Sequence, residues 1–143
     1  MGVLNITPDS FSDGGQFTST DSAILHFEKM LDDGADVIDI GGESTKPGSD
    51  PVSANEEIKR IVPIIEAAKS KYKDILISVD TYKSSVAKKA IESGADFIND
   101  ISGLTFDNDM APLLAQLNIP VVVMHINGTV SYTHLTLPTI LLV

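Results

Sequence analysis

The sequence contains no cysteine, so no disulfide framework can brace the fold and no thiolate can hold a metal, a composition that fits a cytoplasmic protein. Cations are scarce. Ten Lys plus Arg stand against twenty Asp plus Glu, for a formal charge of −10, and a field of that sign repels phosphate backbones and anionic lipid headgroups. Neither nucleic acid nor a membrane is expected as a partner. Residues Met1 to Ile6 lack the basic region and apolar stretch of a signal peptide, and no long apolar run occurs before the tail. The three histidines, His26, His125 and His134, show no metal-ligand spacing, so a zinc site is not expected. What is present is 143 residues, 43% of them hydrophobic, enough for one globular core and at most one domain.

Short runs rich in β-branched residues occur at Gly2 to Leu4, Val37 to Ile40, Ile75 to Val79, Phe97 to Ile98 and Val121 to Met124. They read as five buried strands. Helical spacing fills the intervals. Ala23, Phe27, Met30 and Leu31 share one face, as do Ile58, Ile61, Val62, Ile65 and Tyr72, while Val86 pairs with Ala90 and Ile91, and Leu113 with Leu114 and Leu117. Ser53 followed three residues later by Glu56 is a capping-box signature, which predicts a helix starting near Ala54. Pro63 within that helix predicts a kink or a tolerated break near its first turns. Gly34 and Gly94 each follow a helical pattern and open similar phrases, Gly-Ala-Asp-Val-Ile-Asp and Gly-Ala-Asp-Phe-Ile-Asn-Asp, as expected of C-capping glycines that lead into strands.

Parallel β-α alternation leaves two architectures, an open doubly wound sheet or a (β/α)8 barrel. Polar residues separate them. Asn5, Asp39 with Glu43, Asp80, Asn99 with Asp100, and His125 fall at the carboxyl ends of the five strands in turn. A barrel gathers all such ends around one mouth, whereas an open sheet uses mainly its switch point. The barrel is therefore expected. Since a complete one has eight strands and about 250 residues, this chain should form a partial barrel of five.

Three phrases then carry a family resemblance: Met-Gly-Val-Leu-Asn-Ile-Thr-Pro-Asp-Ser-Phe-Ser-Asp-Gly-Gly at 1–15, Asp-Ile-Gly-Gly-Glu-Ser-Thr-Lys-Pro-Gly at 39–48, and Ser-Val-Asp-Thr at 78–81. With Ile-Asn-Asp-Ile-Ser-Gly at 98–103 and Met-His at 124–125, they resemble the dihydropteroate synthases in the family's own order, from Met1 to about Thr129. The resemblance implies a transferase of folate biosynthesis, a sulfonamide target. It would condense a dihydropterin-methyl diphosphate with p-aminobenzoate, with Mg2+ as cofactor. The arylamine is neutral at pH 7, so no strong general base is needed, and the demand falls on leaving-group stabilisation and alignment.

By match to the family motifs, Asn5 would hold Mg2+ at the diphosphate through its amide oxygen, a hard ligand for a hard cation. Without the motif it would read as a turn-capping Asn. Residues 6–20 read as a lid whose Phe11 lies against the arene; the alternative is a local hydrophobic staple. Thr45, with Lys46 and Pro47, belongs to a Gly-rich anion-binding turn and would contact the pyrophosphate or the p-aminobenzoate. The family usually has Arg where Lys46 stands, and Lys keeps the charge but loses the bidentate fork. Asp80 and Asn99 would read the pterin edge, and Asp80 would also be the catalytic residue, stabilising positive charge near the methylene as diphosphate leaves. Otherwise these are solvated or capping strand-end residues. Asp100 should face the opposite way and be structural, and His125 reads as packed or water-bonded.

From Val130 to Val143 there is no Lys, Arg, Asp or Glu, and the resemblance stops. This tail reads as artefactual, distinct from the barrel segment 1–129. The family's later strands, which carry another pterin-binding Asp, a Lys, and an anion-binding Arg and His, have no counterpart here. The isolated chain is accordingly expected to bind pterin weakly and to turn over little or nothing. The family's usual homodimer contacts would lie in the absent part. Two alternatives remain: a truncated, non-catalytic fragment, or a pterin-binding methyltransferase domain, which should lack the loop that contains Phe11.

Overall fold

The structure, a computed structural model, describes residues 1–6, 19–44 and 50–124. Over these, strand and helix alternate as β1 (Gly2–Asn5), α1 (Ser19–Asp32), β2 (Val37–Gly41), α2 (Ala54–Lys71), β3 (Leu76–Asp80), α3 (Ser84–Glu92), β4 (Phe97–Asp100), α4 (Met110–Leu117) and β5 (Val121–Val123). Each expected strand is present within two residues of its expected bounds. All neighbouring strands pair in parallel, and their order in the sheet is the order of the chain, β1-β2-β3-β4-β5.

That order decides the architecture. Each crossover steps in the same direction, and right-handed β-α-β connections then deliver every helix to the same face. A doubly wound sheet would reverse and place helices on both faces. In agreement, α1 packs on α2, α2 on α3, and α3 on α4. The five strands are a section of a (β/α)8 barrel. The helix-facing side of the sheet presents Leu4, Ile38, Ile40, Ile77, Val79 and Ile98, all buried. Against them pack Phe27 of α1, Ile61, Ile64 and Ile65 of α2, Val86 and Ala90 of α3, and Met110 and Leu114 of α4. Each large side chain removed from water contributes roughly 1.5–3 kcal/mol, so this single core is what holds the layers together. No helix among the described residues is long and apolar enough to cross a membrane.

Local signals act largely as the sequence implies. The Ser53 hydroxyl accepts from the Glu56 amide at 3.2 Å, but the Glu56 carboxylate accepts from Arg60 Nε at 3.2 Å. The expected capping box is thus half formed, its reciprocal arm replaced by an i,i+4 ion pair. Pro63 corrects an expectation: it lies mid-helix, not near the first turns, and α2 runs unbroken through it. Proline deprives only the Lys59 carbonyl of a donor, and the buried Ile61, Ile64 and Ile65 on either side hold the helix to the sheet. Gly34 and Gly94 adopt φ of 90° and 112°. In both, the glycine amide bonds back three residues, to Leu31 and Ile91, and the next amide bonds back five, to Met30 and Ala90. These are paired Schellman closures, and glycine supplies the backbone they need.

Helix and sheet also approach closely at Gly42, just past β2. A Cβ there would lie 2.8 Å from Glu57 Cγ, 2.9 Å from Ile61 Cγ2 and 3.2 Å from the Glu57 carbonyl oxygen. Gly42→Ala is expected to destabilise the fold by roughly 1–3 kcal/mol through overpacking. A lowered urea midpoint at unchanged slope would show this, and an unaltered midpoint would show that α2 can withdraw freely.

Candidate functional site

The face of the sheet opposite the helices carries the polar residues. The parallel register makes Asn5, Gly41, Asp80 and Asn99 successive cross-strand partners, with Val122 continuing the row on β5. Partners in register point to one side of a sheet. Three polar side chains separated by tens of residues thereby stand in one line at the carboxyl ends of their strands. Asp39 occupies the row beneath. It is mid-strand, not strand-terminal, and pairs in register with Ser78.

Within this line Gly41 matters for what it omits. The position a Cβ would take lies 3.0 Å from Asn5 Oδ1, 3.7 Å from Asp80 Cβ and 3.9 Å from Asp80 Oδ2. The Asn5 amide oxygen and the Asp80 carboxylate therefore converge over the glycine. On the other side of Asp80, Asn99 Nδ2 donates to Asp39 Oδ2 at 3.0 Å, which turns the Asn99 amide oxygen away from Asp39. Asp39 is buried, and among the described residues its Oδ1 has no hydrogen-bond partner; nor does the Ser78 hydroxyl. Asp100 faces the helix side as expected: it is fully buried, and its Oδ1 accepts from the Ser102 amide at 2.6 Å.

Asp80 sits among carboxylates. Burial, and then the charges of Asp39, Glu57, Asp100 and Glu43, push its carboxyl up to about 7. A group so poised passes between neutral and ionised forms near physiological pH, and a ligand that offers N–H donors or positive charge would favour the ionised form.

Sequence reasoning did not single out the residues that balance this negative charge. Lys83, at the end of the β3–α3 turn, donates to Glu43 and, at 2.6 Å, to Glu57. Tyr82 donates its hydroxyl to Glu43 Oε1 at 3.1 Å, and Arg60 Nη1 donates to the Gly42 carbonyl at 2.9 Å. Glu43, Glu57, Asp80, Thr81 and Tyr82 line one cleft. One signal was available. Glu57 shares a helical face with Ile61, Ile64 and Ala68, and an acid in an apolar register needs a buried partner. Which residue that is could not be read from spacing, because Lys83 lies 26 residues away.

Of the sequence-identified site residues, the structure brings Asn5, Asp80 and Asn99 together. Phe11, Thr45, Lys46, Pro47 and His125 lie outside the described residues.

Residues 1–137 match the family of pterin binding enzymes, a match that extends past Thr129. The chain is 54% identical to a dihydropteroate synthase of Clostridium beijerinckii over 94% of its own length and 50% of that protein's. Among solved structures, it resembles a dihydropteroate synthase from Clostridium difficile obtained in the presence of pteroic acid, with a TM-score of 0.85 and 46% identity over 94% of this chain and 51% of that one. It also resembles the Xanthomonas albilineans enzyme with 4-aminobenzoic acid, with a TM-score of 0.84 and 41% identity over 92% of this chain and 48% of that one. The chain thus spans about half the length of these relatives.

The raised Asp80 value has a consequence for stability. An acid whose folded value of about 7 exceeds its ordinary 3.8 binds protons more tightly when folded. It costs almost nothing at about pH 3 and below, where both states are largely protonated, and its cost grows until the pH passes about 7. Asp80→Asn is expected to be more stable than the parent at about pH 8 and nearly indistinguishable from it at about pH 3. Urea unfolding at the two pH values reads this directly; a pH-independent difference would mean that Asp80 is not held in the raised state.

Proposed function

Because the chain belongs to the family of pterin binding enzymes, we propose that it carries the pterin end of a dihydropteroate synthase site. The reaction condenses 7,8-dihydropterin-6-ylmethyl diphosphate with p-aminobenzoate to give dihydropteroate and pyrophosphate. The observation that carries this reading is the register row in which Asp80 and Asn99 stand side by side beyond Gly41. A pterin edge alternates N–H donors with ring-nitrogen and carbonyl acceptors. The Asp80 carboxylate accepts from the donors, and the Asn99 amide, oriented by Asp39, offers both polarities. The solved relatives with pteroic acid and with 4-aminobenzoic acid support this substrate class.

In the reaction the p-aminobenzoate nitrogen attacks the exocyclic methylene. A C–N bond forms, the C–O bond to diphosphate breaks with its electron pair leaving on pyrophosphate, and the nitrogen loses a proton to solvent. Ionised Asp80 stabilises the positive charge that develops beside the pterin ring as the bond breaks. Asn5 suits a cation brought in with the substrate: its amide oxygen is a hard ligand at the open end of the row, and Mg2+ commonly takes few protein ligands with substrate phosphates and waters completing its shell. Bound there, Mg2+ would neutralise charge building on the leaving group. Phe11 is assigned to the arene, and Thr45, Lys46 and Pro47 to the pyrophosphate and p-aminobenzoate, through their place in the family motifs. The acidic composition and the absence of cysteine favour a cytoplasmic setting.

Calorimetric titration of the chain with the dihydropterin diphosphate in the presence of Mg2+ tests the proposal. Weak but saturable binding is expected, abolished by Asp80→Ala and reduced by Asn99→Ala. Equal binding to parent and Asp80→Ala would remove Asp80 from the pterin site.

A further inference from the structure

Three residues beyond Asp80, one ammonium joins three segments of chain. Lys83 Nζ reaches Glu43 Oε2 in the turn after β2 and Glu57 Oε2 in the first turn of α2, while Lys83 itself ends the turn after β3, at the N-cap of α3. The site is enclosed: the Glu57 side chain is 1% exposed and that of Lys83 16%. Other contacts fix its geometry. The Lys83 amide donates to Thr81 Oγ1 at 3.2 Å, the ammonium lies 4.7 Å from the Tyr82 ring centroid, and Tyr82 holds the other oxygen of Glu43. Burial alone would favour neutral lysine, but the hydrogen bonds it donates to Glu43 and Glu57, with their charges, outweigh it and raise its value, so Lys83 stays charged. Its position is otherwise unexplained, since a solvated lysine would serve equally well at the start of a helix.

The same cleft contains Asp80. With Lys83 in place, two of the cleft's carboxylates direct their oxygens at a cation. Without it, both would add unbalanced negative charge beside Asp80, next to which the proposed reaction releases an anionic leaving group, and like charges at short range in a partly buried cleft repel strongly.

We propose that Lys83 is a positioning residue for the diphosphate-bearing half of the substrate: by binding Glu43 and Glu57 together it makes the cleft beside Asp80 tolerant of an anion, without touching that anion itself. The proposal rests on the dihydropteroate synthase reading and adds to it a division of labour. Asp80 and Asn99 recognise the ring, and Lys83, through two carboxylates, admits the phosphates.

The test compares two probes on the full chain with Mg2+, 6-hydroxymethyl-7,8-dihydropterin and its diphosphate. Lys83→Met is expected to weaken the diphosphate by about tenfold or more and to leave the unphosphorylated pterin nearly unchanged, whereas Lys83→Arg, which keeps charge and donors, restores diphosphate binding. Glu43→Gln provides an arm that damage to the fold could not imitate. It removes one negative charge while Lys83 keeps Glu57, and should tighten the diphosphate alone by about threefold. Equal weakening of both probes by Lys83→Met, or unchanged or weaker diphosphate binding by Glu43→Gln, overturns the proposal. Failure of the parent to bind either probe would instead refute the underlying functional reading, and this inference with it.

Discussion

Everything in the site depends on parallel pairing that advances one strand at a time in one direction. Because β1 to β5 follow chain order, every helix falls on one face and the other is left free of them. Because the pairing is in register, the last residues of successive strands become neighbours. The two sides of the sheet then do different work. One buries isoleucine, valine and leucine against helices, and the other brings together an amide, a glycine, a carboxylate and a second amide in a row. Slipping a single strand by one residue would exchange these roles, sending polar groups into the core and aliphatic ones to the mouth. The apolar core therefore also aligns the site.

The acids at this mouth are arranged in depth. Asp39 lies below and orients Asn99; Asp80 lies level with the opening; Glu43 and Glu57 lie to one side, tied to Lys83. Among the described acids Asp80 is the one pushed up to about 7, by its own partial burial and by the charges of Asp39, Glu57, Asp100 and Glu43 around it. The chemistry at the centre is thus set by where the Lys83 ammonium stands: it serves Glu43 and Glu57 and leaves Asp80 to a ligand.

The layered fold was legible in the sequence because its signals are local. β-branched runs, helical faces and the Gly34 and Gly94 closures are each read from neighbouring residues, and the structure has them, except that β5, expected to be buried, leaves Val122 and Val123 exposed, as is Leu117 of the α4 face. Asn5, Asp80 and Asn99 were legible as strand-end residues, and their motifs supplied roles. Their common register was not, since no single strand reveals its neighbour's alignment. Pro63 was misplaced because proline's cost was weighed within the helix alone, while the aliphatic face of α2 decides the outcome. Glu56 was assigned to the Ser53 amide but found Arg60, a competitor one turn onward on the same exposed face. The Lys83 bridge escaped notice for a geometric reason: its two carboxylates come from segments 40 and 26 residues away, and only the closed packing of two βα turns against α2 makes them adjacent.

One contact bears on how such a chain is made. The first turn of α3 has no side-chain cap of its own at Lys83. The Ser84 amide instead donates to Asp107, at 2.7 Å, from the segment between β4 and α4. A nascent chain emerging from its N-terminus would therefore have the third helix in hand with its leading turn still open, to be closed only by residues synthesised later. Adjacent units of this fold are not independent modules added in series. The third is finished by its successor, so order propagates backward along the chain there as well as forward.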